Sequence, residues 1–225
     1  MRTSTTLTGL ALVFSTAIAS CAGNRVDSFP PGVEPWETNL AALPAATAGS
    51  PCPEMITFVR TQYTGGGGRV DSVHARACIH APIAEVWAAV QDPEVARDHT
   101  SVNSYAVINP PMPEECNGAY QTQLNVGPGA FAFDFRLCWR HSVAEGLEDA
   151  PTLTATRWQK VWGSSNITLM EGSLVTRPLD GHPEITVVEY QYHLDALAAN
   201  HGTVQSYLDV IYHRLSDRVH GRMLP

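Results

Sequence analysis

Residues 77–94 read ACIHAPIAEVWAAVQDPE, and the fold turns on how they are parsed. Leading into them, Val73, Ala75, Ala77 and Ile79 alternate with His74, Arg76, Cys78 and His80. That period belongs to a strand with one small apolar face and one polar face. Pro82 suits the first turn of a helix, where no N–H is needed, and Glu85 is favourable near the positive end of the helix dipole. Ile83, Val86, Trp87 and Val90 fall at i, i+3, i+4 and i+7, a single apolar stripe. Asp92 can cap, and Pro93 can begin, a second short helix running to Arg97.

Working outward, the chain on either side is rich in strand patterns. Upstream, two β-rich runs flank Gly65–Gly68 and predict a hairpin of roughly 55–63 and 69–80. The glycines are not followed by a helix or by Lys-Ser/Thr, so they do not read as a phosphate cradle. Downstream, strands are expected near 103–109, 119–126, 130–142, 152–162, 167–177 and 185–195, with Gly127-Pro128-Gly129 turning the second into the third. A helix over about 203–220 closes the chain, its stripe formed by Val204, Leu208, Ile211, Leu215 and Val219.

Strand, two short helices, further strands and a long amphipathic C-terminal helix is the order of the helix-grip fold. The matching positions Ala81-Pro82, Glu85, Val86-Trp87 and Asp92-Pro93 resemble the opening of the SRPBCC superfamily, also called START-like, Bet v 1-like or polyketide cyclase-like. A second aromatic common in that family is missing; Asp98-His99-Thr100 stands there. The resemblance covers about residues 70–222 and implies an α+β domain. It has a curved antiparallel sheet of about seven strands around the C-terminal helix, with two short helices after the first strand and an apolar cavity between sheet and helix. Such clefts, mostly apolar with a few placed polar groups, are ordinary ligand sites.

The N-terminus points to export. Arg2 is the only charge in the first twenty residues, and the apolar run Leu7–Ile18 is too short to span a bilayer but suits a secretory signal. Ile18-Ala19-Ser20-Cys21 resembles the lipobox of bacterial lipoproteins, which implies that residues 1–20 are removed and Cys21 is lipidated. Ala22 after the cysteine implies the periplasmic face of the outer membrane. Residues 21–53, rich in Pro, Ala and Gly, read as a tether, and 54–225 as one domain.

Without Arg2 the chain holds 13 basic residues against 22 acidic ones, a formal −9, with Lys160 its only lysine and no basic run. Nucleic-acid binding and a polybasic grip on lipid headgroups therefore have no electrostatic footprint. In an oxidising compartment Cys52, Cys78, Cys116 and Cys138 make an even set. Counting outward from the two glycine turns places 78 opposite about 55, and 138 opposite about 118. The expected bridges are therefore Cys52–Cys78 and Cys116–Cys138, on the polar outer side of the sheet.

For the cavity, the period-2 stripe Phe131, Phe133, Phe135, Leu137 and Trp139 supplies candidate walls, with Tyr190, Tyr192 and Leu194 as a second stripe. Trp87, Tyr120 and the helix residues Leu208, Ile211 and Leu215 complete the candidates. Trp158, Lys160 and Trp162 share one strand face by parity. His74 and His80, and His213 and His220, pair on common faces without the spacing or carboxylate of a zinc site, so no metal and no cofactor is expected. No nucleophile or paired-carboxylate motif occurs. The expected function is non-covalent binding of a small hydrophobic molecule (lipid, sterol-like or aromatic metabolite) by a membrane-anchored protein. The alternatives are a cyclase or aromatase using cavity Tyr, Arg, His or acidic groups (Tyr120, Tyr190 and Tyr192 among them), and a small-cavity scaffold for an envelope protein.

Overall fold

The computed structural model describes residues 52–65, 68–97, 102–110, 116, 118–127, 132–197 and 201–224. Cys21, the signal segment, nearly all of the expected tether and Phe131 lie outside them. Eight strands form one antiparallel sheet: β1 Thr57–Gly65, β2 Gly68–Ile79, β3 Val102–Ile108, β4 Tyr120–Val126, β5 Phe133–Leu147, β6 Ala150–Gly163, β7 Ile167–Leu179 and β8 His182–Ala196. Helix α1 spans Ile83–Val90 and α2 spans His201–Val219. The sheet order is β1-β2-β8-β7-β6-β5-β4-β3. Every neighbouring pair is antiparallel. Both helices pack on one face, and the C-terminal helix lies in it as in a helix grip.

Two expectations need correction. The sheet has eight strands rather than about seven, because the first run of the predicted hairpin pairs with β2 from Thr57↔Arg76 to Gly65↔Gly68 and becomes a new edge. The second short helix is only a turn, with Val95, Ala96 and Arg97 N–H groups bonding three residues back. Asp92 takes the Glu94 N–H as a cap, but the Glu94 carbonyl is held by the Arg214 guanidinium of α2, at 3.2 Å from Nε and 2.6 Å from Nη2. Arg218 of the same helix pairs with Asp92. The turn thus anchors α2. In the first helix Pro82 is the N-cap, Glu85 sits in the first turn, and Ile83, Val86, Trp87 and Val90 are buried as the stripe requires.

One transverse row of the sheet organises the concave core. Tyr120, Trp139, Trp158, Gly172, Tyr192 and Val73 are successive register partners across β4, β5, β6, β7, β8 and β2. The rings run Trp87–His141–Tyr120–Trp139–Trp158–Tyr192–Tyr207, with successive centroids 6.0, 5.4, 5.9, 5.3, 5.7 and 5.4 Å apart. These separations suit offset and edge contacts between aromatic rings. Gly172 makes the row possible: a Cβ there would lie 2.1 Å from Trp158 Cζ2 and 2.6 Å from the Gln191 carbonyl oxygen. The α2 residues Val204, Leu208, Ile211, Tyr212 and Leu215 close the core above it.

The parity reading of β6 fails at one point. Leu137 pairs with Lys160 but Arg136 pairs with Trp162, so a bulge accommodates Val161. Trp158 and Lys160 stay on the concave side, while Trp162 turns outward beneath the Arg136 guanidinium, 4.8 Å from its ring centre. The convex face carries both disulfides, Cys52–Cys78 and Cys116–Cys138, with Cα atoms 5.7 and 5.4 Å apart. Each bridge nucleates a small apolar cluster separate from the main core, Cys78 with Leu179 and Val187, and Cys138 with Val161.

Near the middle of that convex face Glu171 is fully buried, its Oε1 lying 3.2 Å from His193 Nδ1. Burial pushes its carboxyl up to about 9 against an opposing pull from Arg157, so at neutral pH it is protonated and donates to the imidazole. A folded pKa above the ordinary 4.5 means that the group's stabilisation is complete below about pH 4.5 and fades as pH rises towards about 9. Glu171→Gln keeps the shape without the titration. It should flatten the pH dependence of unfolding free energy over that interval and raise stability at its upper end, measured by urea denaturation; an unchanged profile contradicts the assignment. Gly172→Ala should destabilise by about 1–3 kcal/mol through overpacking against Trp158, read by the same denaturation. An unchanged midpoint would show that the row tolerates a methyl group.

Candidate functional site

The aromatic row fills the middle of the grip and leaves space at one end. There the ends of β4 and β8, the starts of β3, β5 and β7, and the first two turns of α2 enclose a cavity of ≈ 440 Å³. Its walls are Val102, Leu124, Val126, Gly127, Phe133, Phe135, Ile167, Met170, Tyr192, Leu194, Ala196, Leu197, Thr203, Val204, Ser206 and Tyr207. Strand parity explains the apolar lining, since Leu124 and Val126, Phe133 and Phe135, and Tyr192 and Leu194 are concave-face residues two apart. Leu197, 69% exposed, lies at the rim. A shallower depression of ≈ 360 Å³ adjoins at Phe133, bounded by Ala132, Asp134, Trp162, Gly163 and Ser164.

Among the described residues, no Asp, Glu, Lys, Arg or His lines this cavity. The side-chain polar groups among the described walls are the hydroxyls of Tyr192, Tyr207, Thr203 and Ser206. Burial raises the Tyr192 phenol well above its ordinary range, so it exchanges hydrogen bonds but not protons. Tyr190 and Tyr120 are raised by the same cause.

Of the residues expected at a cavity, Phe133, Phe135 and Tyr192 line this one. Trp139 and Tyr120 are used in the aromatic row, where the Trp139 indole N–H donates to Thr122 Oγ1 at 2.9 Å. Trp87 closes the far end, donating to Glu148 at 3.2 Å. Leu208, Ile211 and Leu215 pack on the sheet beyond the cavity, and Tyr190 is fully buried in the neighbouring row with its hydroxyl unpartnered among the described residues. Phe131 is outside the described residues.

The residues missed are Thr203, Ser206 and Tyr207 in the first two turns of α2, together with Val102, Leu124, Val126, Gly127, Ile167, Met170, Ala196 and Leu197. Leu124 and Val126 were within reach, because they continue the parity of Tyr120. The helix residues were not, since a 3.6-residue stripe marks what faces the sheet without saying where the sheet withdraws.

Two other titratable groups lie inside the grip but away from these walls. His141, lowered to about 4 by burial, holds Thr156 Oγ1 at 2.8 Å beneath Trp87. Lys160, lowered to about 8 by burial, donates to the carbonyls of Ser164 at 3.0 Å and Ile167 at 2.8 Å, securing the β6–β7 turn behind the cavity. Of the paired histidines, His80 contacts the Cys52 carbonyl and His220 contacts Glu54 Oε1, which fastens the ends of the domain together. No helix among the described residues is long and apolar enough to cross a membrane.

The sheet order and the gripped C-terminal helix of this chain define a helix-grip domain. No protein family and no curated protein matches it. Among solved structures it is similar to a protein of the bacterium Thermus thermophilus, at 17% identity over 67% of this chain and 97% of that one, with a TM-score of 0.47. It is also similar to a START superfamily protein from Mycobacterium smegmatis, at 14% identity over 67% and 97%, with a TM-score of 0.46. A third is the ZhuI aromatase/cyclase from a Streptomyces species, at 12% over 68% and 92%, with a TM-score of 0.44.

Proposed function

We propose that this protein binds a small, uncharged hydrophobic molecule non-covalently in the cavity at the α2 N-terminal end of the grip. One observation carries the reading: among the described residues, the ≈ 440 Å³ space is walled by aliphatic and aromatic side chains and hydroxyls, with no charged side chain. An ionised ligand group placed there would lose its hydration without a counter-charge, a cost of several kcal/mol. A neutral aromatic or lipid-like molecule meets no such penalty, and Tyr192 and Tyr207 offer it ring faces continuous with the aromatic row.

The lipobox-like Ile18-Ala19-Ser20-Cys21 supports anchoring at a bacterial envelope membrane, by acyl chains on Cys21. In our reading residues 54–225 are the binding domain, and the anchor holds it at the periplasmic face of the outer membrane, where a poorly soluble ligand would be carried or sequestered.

The chain from residue 21 with Cys21→Ser, studied by native mass spectrometry, should carry a co-purifying apolar mass. It should also bind the neutral fluorophore N-phenyl-1-naphthylamine. Ala196→Trp places a bulky side chain on the cavity wall and should weaken fluorophore binding roughly tenfold or more, about 1.4 kcal/mol, while the unfolding midpoint stays close to the parent's. Undiminished binding in a folded Ala196→Trp protein places the ligand elsewhere. A folded parent that binds neither probe nor native ligand contradicts the reading itself.

A further inference from the structure

The middle of the convex face of the sheet is withdrawn from solvent, although both helices pack on the other side. Its central residues form register rows: Ser72–His193–Glu171–Gln159 and His74–Gln191–Ser173–Arg157–Arg140, followed by Arg76–Glu189–Val175–Ala155. Glu171, Ser173, Val175, Ala155 and His193 are nevertheless between 0% and 3% exposed, as buried as the concave core. Ala155 and Val175 form their own apolar cluster with Leu153. A polar outer face on a sheet is ordinarily wet. Burial this deep calls for a cover, and no described helix or strand supplies one.

The covalent structure indicates where a cover comes from. Cys52, where the described chain begins, is bonded to Cys78 on this same face, within the cluster of Leu179, Val187 and Ile185. The thirty residues ahead of it can extend to about 100 Å, whereas the three strand spacings from β2 to β6 amount to only about 15 Å. Charge is complementary as well. The face carries Arg76, Arg136, Arg140, Arg157 and Arg177, with Glu189 shared between Arg76 and Arg177. Residues 25–37, RVDSFPPGVEPWE, hold Asp27, Glu34 and Glu37 against Arg25, interleaved with Phe29, Val33 and Trp36. A proline-rich segment favours an extended backbone that needs no ladder partner, so it can lie across strands.

We propose that residues 22–51 form a strap docked on the convex face of the sheet. Its aromatic and aliphatic residues cover the Ala155–Val175 patch, and its carboxylates face the arginines. The segment is then part of the domain, and the length left to hold the domain off an anchoring membrane is short. This is independent of what the cavity binds.

The test uses the chain from residue 21 with Cys21→Ser and a photoreactive p-benzoylphenylalanine at position 36, and separately at position 33. Irradiation should give intramolecular cross-links to residues 153–159 and 171–177, in a yield that does not change with protein concentration. Glu34→Arg with Glu37→Arg should reduce that yield several-fold while leaving the near-ultraviolet circular dichroism of the folded domain in place. Backbone amides of residues 27–40 should exchange with deuterium at least roughly tenfold more slowly than an unstructured peptide. Cross-links that map to the cavity rim, or that grow with concentration as links between copies, overturn the proposal. So do exchange at the unstructured rate and a yield indifferent to the charge reversals.

Discussion

Residue 172 cannot carry a side chain while Trp158 lies where it does, and much of the interior follows from that exclusion. In the middle of a seven-ring run, the indole occupies the space above Gly172 and reaches Tyr192 two strands away. The row crosses the concave face from Trp87 to Tyr207 and fills the centre of the grip with rigid, well-packed rings. A sheet this wide against a single long helix has more concave surface than the helix can cover. The aromatic row takes up much of the excess but ends at Tyr192 and Tyr207, beyond which the described walls are aliphatic residues, Met170, two phenylalanines and the hydroxyl residues Thr203 and Ser206. The position of the cavity is thus set by where the aromatic filling stops.

The architecture was legible because its signals are local and repeated. Alternation in 73–79, Pro82 and the stripe of α1, and the stripe Val204–Leu215 each reflect a single element's period, and each element formed within a few residues of its expected place. The four-glycine turn gave the β1–β2 register that brings Cys52 to Cys78. The turn at Gly127 gave a register three residues off: Cys138 pairs with Gln121 rather than with about 118, although the Cys116–Cys138 bridge forms. Three features were not legible, each for a tertiary reason. The Val161 bulge moves Trp162 across the sheet, and nothing in the residues around it announces the insertion. The turn after α1 is tied to α2 by Arg214, 120 residues away, whose guanidinium donates to the Glu94 carbonyl. Strands β5 and β6 run on to Leu147 and Ala150 through mostly exposed residues that lack a buried face to mark them.

The site was only half readable for the same reason. Parity identifies which residues face inward, and it put Phe133, Phe135 and Tyr192 on the right side. It does not separate inward residues that touch a helix from those that touch a void. Trp139, Tyr120, Leu208, Ile211 and Leu215 share the inward face and are spent on packing. The middle of the convex face reverses the usual expectation, since Glu171, Ser173, Glu189 and His193 are as buried as the aromatic residues opposite. Glu171 can stay protonated there because its neighbours exclude water, not because a negative partner repels its charge.

The Cys52–Cys78 bridge also decides how the domain responds to tension. A chain entering a sheet at its edge strand would ordinarily unzip that strand one hydrogen bond at a time. Here the chain is welded to β2 before β1 begins, so β1 sits inside a closed covalent loop with Cys52 and Cys78 26 residues apart. A pull on the N-terminus bypasses β1 and loads the end of β2, which pairs with β8 through Ala77, Cys78 and Ile79 and joins β1 from Arg76 back towards Gly68. Tyr212 of α2 donates to the Cys78 carbonyl at 3.0 Å, so the same point is fastened to the long helix as well. Force is therefore delivered to a strand end held by β8, by α2 and by the disulfide, where it must break several bonds together rather than one after another.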